Sequence, residues 1–139
     1  LTAVATEAFR SFGDALAAAS GGSSREDRIF AQGLAYVRFA LAEPAKFDLM
    51  WRYALIDRED PDYVAASRRA FGLLSQVTRG ADPPEGGAKD PEMAPAIACW
   101  SIVHGFARLA LDGAFGIEPG AAERAAEALL PRVLEHLRI

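Results

Sequence analysis

Residues 91–113 read PEMAPAIACWSIVHGFARLALDG, and their periodicity decides the fold class. Turned at about 100° per residue, the stretch is apolar nearly all round, through Ile97, Trp100, Ile102, Val103, Phe106, Ala107, Leu109 and Leu111. Only Ser101, His104, Gly105, Arg108 and Asp112 make a narrow contrasting stripe. A helix with so little polar face is a core helix, so other helices must cover it. Its start is marked by Pro91, whose missing amide hydrogen costs nothing in a first turn, and by Asp90, whose carboxylate can accept free amides there. Its end is marked by Gly113, which tolerates the left-handed conformation that closes a helix. The spacing predicts a helix over 91–112.

The same punctuation recurs on either side. Residues 1–20 are rich in alanine, lack proline and stop at Gly21-Gly22. Ser23 and Glu26 form a capping-box pair that predicts a second helix running to Glu43. Pro44 opens a short third helix, Asp60-Pro61 opens a fourth to residue 79, and GADPPEGGAKD over 80–90 reads as loop. Glu118-Pro119 is expected to open the last helix, with a kink at Pro131. No run alternates polar and apolar residues as a strand would. The expectation is an all-α domain of six helices, bundle-like with orthogonal packing, over residues 1–139. On the second helix Ile29, Phe30, Gly33, Leu34, Tyr36, Val37, Ala40 and Leu41 span roughly 160°, which predicts burial on two sides.

The chain has 139 residues, 51% of them hydrophobic, and a net charge of -4. That suits one self-sufficient core. A single cysteine, Cys99, within an apolar run excludes a disulfide framework and a thiolate metal cage, and fits the cytoplasm. No uninterrupted apolar stretch nears the roughly 20 residues that cross a bilayer, so no membrane partner is expected. The acidic balance does not suit a surface that neutralises nucleic-acid phosphates by itself.

Enzyme signatures are missing too. His104 and His136 are the two histidines and neither sits in a metal-binding pattern, so no metal and no cofactor are expected. There is no nucleophile elbow and no phosphate-binding glycine loop. No catalytic residue is assigned. Acidic pairs such as Glu59-Asp60 stand at helix starts, where capping explains them. Large aromatic residues among many alanines can hold helices apart and leave a cavity. The candidate lining is Phe30, Tyr36, Phe39, Phe47, Met50, Trp51, Phe71, Trp100 and His104. Phe39 shares a side of its helix with Gln32 and Glu43, and so faces either a polar cavity or another helix. His104 lies four residues from both Trp100 and Arg108, either as a structural histidine or as a polar anchor in the cavity wall. Gly105 beside it lets a neighbouring helix come close. Along the last helix Ala122, Ala126, Leu129, Val133 and Leu137 form a stripe that suits either a twofold mate or the chain's own core.

The run WSIVHGFARLALDGAF at 100–115 resembles the Trp-x-x-x-His-Gly signature of the WHG-type C-terminal domain in tetracycline-repressor-like (TetR/AcrR) transcriptional regulators. AYVRFALAEPAKFDLMW at 35–51 is similar to the helix, proline, helix segment of that family, and the helix order agrees. The resemblance implies an effector-binding and dimerisation domain of a repressor, with no enzymatic activity. Its implied partners are a second copy of the chain, a small apolar or aromatic effector, and operator DNA. The DNA is reached only through an N-terminal helix-turn-helix domain absent from this chain, and Leu1–Ser20 resembles the helix connecting to it. It further implies dimerisation through the last two helices and an effector cavity among the second to fifth. Two other readings fit the residues: an all-α enzyme with His104 as acid or base on an apolar metabolite, and a dimeric interaction module with a filled core.

Overall fold

The computed structural model describes residues 1–19, 21–22 and 24–137. Six α-helices follow in order: α1 (Thr2–Ala18), α2 (Arg25–Ala42), α3 (Pro44–Met50), α4 (Pro61–Arg79), α5 (Ala94–Leu111) and α6 (Ala121–Leu134). Short 3-10 turns lie at Tyr53–Leu55, Gly87–Lys89 and Pro91–Met93, and no strand occurs among the described residues. The fold is all-α with six helices, as the periodicity requires.

Capping chemistry sets most of the starts. One Asp60 carboxylate oxygen accepts the amides of Asp62 and Tyr63, each at 3.0 Å, and α4 closes at Gly80 with a left-handed φ of 71°. The capping residue expected for α2, Ser23, lies outside the described residues; the cap described is Ser24, whose hydroxyl accepts the Asp27 amide at 3.0 Å. Asp90 accepts the Glu92 amide at 2.8 Å, but opens a 3-10 turn instead of α5 itself. Pro95 explains the delay. It has no amide to return to the Pro91 carbonyl, so the first turn closes from the Met93 amide to the Asp90 carbonyl at 2.9 Å. Glu118-Pro119 forms a turn, and α6 begins two residues later, after Gly120 in the left-handed region. α6 continues through Pro131 and ends at Leu134, within one turn of the lost amide.

α2 is the hub, touching each of the other five helices. A Cβ at Gly33 would stand 3.1 Å from Leu134 and 3.2 Å from Val103, so the missing side chain is what brings α2 against both α5 and α6. α5 packs on α2, α4 and α6 through Ala96, Cys99, Val103, Phe106, Ala107 and Ala110. The segment Pro91–Leu111 is long and apolar enough to cross a membrane by length and composition, and about a third of it is buried in the packing against α2, α4 and α6. α1 lies along α4 and buries Ala5, Ala8, Phe9, Phe12 and Leu16.

The C-terminal stripe divides. Ala126, 1% exposed, sits in the chain's own core with Leu130 and Leu134, so it is not available to a mate. Its physical reason is the α2–α6 contact, which takes the face spaced by four residues through Leu134. Val133 and Leu137 are half-buried against the core, Ala122 is half-buried, and Leu129 remains 42% exposed. Among the described residues, nothing beyond its own helix lies within 4 Å of a Cβ at Gly105, so no helix of the chain takes up the approach that it permits.

Candidate functional site: an aromatic cavity walled by the first helix

A cavity of about 320 Å³ opens between α1, α4, the start of α5 and the segment after α3. α1 supplies Phe9, Phe12 and Leu16, and α4 supplies Tyr63, Val64, Ser67, Arg68, Ala70, Phe71 and Leu74. Tyr36 and Trp100 form the back, while Trp51, Tyr53, Arg58 and Ala88 complete the rim. Space of this size within an aromatic wall matches the usual dimensions of a small-molecule site.

The rings meet mostly edge to face. Phe9 contacts Trp51 at 5.6 Å and Tyr63 at 5.7 Å between centroids, and Trp100 contacts Trp51 and Phe71, each at 5.7 Å. Such arrangements hold large rings at fixed angles, which keeps an aromatic wall from collapsing inward.

Behind the wall runs a polar relay. The Trp100 indole N–H donates to the Tyr36 hydroxyl at 3.0 Å, and that hydroxyl meets His104 Nδ1 at 2.7 Å. Burial pushes the Tyr36 phenol far above its usual range, so it stays protonated. Burial, with the nearby Arg108 cation, holds His104 below its ordinary value of 6.5 and favours the neutral ring. The tautomer with its proton on Nε2 is the one that gives the Tyr36 hydroxyl proton an acceptor at Nδ1. Arg108 itself is engaged by Asp48 at 3.5 Å and Asp112 at 3.4 Å.

Of the nine residues expected to line the cavity, the structure brings Tyr36, Trp51, Phe71 and Trp100 together there. The other five lie elsewhere. Phe47 and Met50 are fully buried because the inward face of the short α3 is filled core; Phe47 packs on Tyr36, Trp51 and His104. Phe30 is half-buried against the core, about 120° around α2 from Tyr36. Phe39 faces another helix, with its ring 5.3 Å from Phe12 of α1. His104 is not part of the lining and stands one layer back, with Nδ1 against the Tyr36 hydroxyl.

The sequence reasoning missed the α1 wall and the rim. Phe9, Phe12 and Leu16, spaced three and four apart, form a stripe legible in the sequence, whereas the family resemblance casts this segment as a connecting helix. Tyr53, Arg58 and Arg68 carried no periodic signal. Among the described residues no cluster of three or more His, Cys, Asp or Glu side chains could hold a metal ion. Cys99 is buried, and burial raises its thiol to about 11.

A family model described as the tetracyclin repressor-like C-terminal domain matches residues 29–133. No curated protein and no solved structure matches the chain. The matched span runs from the first buried residue of α2 almost to the end of α6, leaving α1 outside it. It takes in both the Trp100–His104–Gly105 run and the proline-linked α2–α3 pair, and the chain belongs to the family of tetracyclin repressor-like C-terminal domains.

Proposed function

We propose that the chain is the effector-binding and dimerisation domain of a cytoplasmic transcriptional repressor, and that a small apolar or aromatic molecule in the cavity moves α1. The observation carrying this reading is that α1 forms one wall of the cavity through Phe9, Phe12 and Leu16. A molecule seated there touches α1 and α4 at once. α1 is otherwise held by contacts that can shift: Arg69 of α4 pairs with Asp14 at 2.7 Å, and the Asp57 amide donates to Thr2 Oγ1 at 2.9 Å.

In the proposed protein α1 leads to an N-terminal helix-turn-helix domain. Paired recognition helices enter successive major grooves roughly 34 Å apart, so a small tilt of each α1 mismatches that spacing. The effector must then bind the DNA-incompetent state more tightly, and a coupling of about 1–3 kcal/mol is the usual scale. Dimerisation is assigned to α5 and α6. Gly105 faces open space, and Ala98, Ser101 and Leu109 on the same side of α5 are exposed, as is Leu129 on α6.

Thermal unfolding against a panel of apolar and aromatic compounds tests the reading. A true effector raises Tm, with about 2.7 kcal/mol of stabilisation at a hundredfold excess over Kd. Ser67→Phe, which fills the cavity from α4, should abolish the shift. A panel in which no compound stabilises the chain would favour the filled interaction module instead.

A further inference from the structure

We infer that the cavity is built for an amphipathic anion: an apolar or aromatic body carrying a carboxylate at the rim. This rests on the effector reading above and goes beyond it to the charge of the ligand. Two residues of the lining are charged, Arg58 and Arg68, and no Asp or Glu lines the cavity. Neither arginine has an ion-pair partner among the described residues, although the neighbouring Arg69 and Arg52 are each paired with an aspartate at 2.7 Å. None of the acids next to Arg58 in sequence, Asp57, Glu59 and Asp60, forms an ion pair with it among the described residues. Asp57 accepts the Glu59 amide at 3.0 Å, and Asp60 caps α4.

Among the neutral groups of the wall, the Trp100 indole N–H donates to the Tyr36 hydroxyl and the Ser67 hydroxyl to the Val64 carbonyl at 3.2 Å, while the Tyr53 and Tyr63 phenols complete the polar part of the lining. The lining therefore holds two guanidinium groups against no anion of its own. A neutral hydrocarbon leaves both unanswered, and a cation is repelled. A carboxylate supplies acceptors to both, with the planar geometry that a guanidinium binds through two parallel hydrogen bonds. Arg58 is held ready by the Tyr53 ring, 4.3 Å below its guanidinium carbon.

Isothermal calorimetry with three matched probes, 4-phenylbutanoate, 4-phenylbutanamide and 4-phenylbutylammonium, separates the possibilities. The expected order is anion, then amide, then cation, with the anion bound about tenfold more tightly than the amide or better. In the double variant Arg58→Gln, Arg68→Gln the roughly tenfold preference for the anion over the amide should disappear. Both side chains are exposed, so the variant keeps its fold, and its unfolding curve checks this. Equal binding of amide and anion, or a preference that survives in the double variant, overturns the anion inference while leaving the effector cavity standing. If none of the probes binds and the broader apolar panel also fails, the effector reading itself falls.

Discussion

Tyr36 joins three functions through one oxygen: it accepts from Trp100, meets His104, and forms part of the cavity wall. The two ends of the relay sit four residues apart on α5 and were visible as a motif, whereas the link comes from α2, 64 and 68 residues away. Helical spacing shows which residues share a face; it does not show which face of a second helix meets them. That is why Tyr36 and His104 are each legible as candidate residues and the bond between them is not. The burial of His104, with Arg108 nearby, also makes stability depend on pH. The folded-state pKa of His104 lies below its unfolded value of 6.5, so the unfolded chain takes up the proton first. The histidine's contribution is full above pH 6.5 and is lost as pH falls from there through the lowered folded value. Urea unfolding between about pH 8 and about pH 5 should show a steeper decline for the native chain than for His104→Gln. Parallel curves would mean that burial does not lower the His104 pKa in the folded chain.

At the scale of elements, the helices were legible because their ends carry local chemistry. Pro44, Asp60-Pro61 and Gly113 act through their own backbone and nearest neighbours, so each marks a boundary wherever the helix packs. Where two such signals competed, the boundary moved: Pro95 delayed α5, and Gly120 delayed α6. Asp60→Ala should unmask two amides at the start of α4 and lower stability by about 1 kcal/mol, read as a drop in the urea midpoint at constant m. No change would mean that Pro61 alone sets that start. The faces of the elements were harder. Phe30 and Tyr36 both lie in the wide apolar arc of α2, yet only Tyr36 meets the cavity, because α2 is covered on several sides and only one of them is hollow. Big aromatic residues mark the interior, and whether they fill it depends on how neighbouring helices are spaced.

For the whole molecule, the exposed apolar side chains of α5 and α6 set the expected assembly. Leu109→Glu together with Leu129→Glu should yield a monomer by sedimentation velocity with the helical signal retained, since both side chains are exposed in the single chain. Ala126→Glu should instead abolish folding, because its position is inside the core. A double variant that still sediments as a dimer would move the interface off these two helices. The chain holds two tryptophans, and Trp51 and Trp100 both line the same cavity with their ring centres 5.7 Å apart. All of the indole emission of these 139 residues therefore originates at the site itself. The molecule carries its own optical gauge of occupancy, one that reports arrival at the wall of α1 without any label.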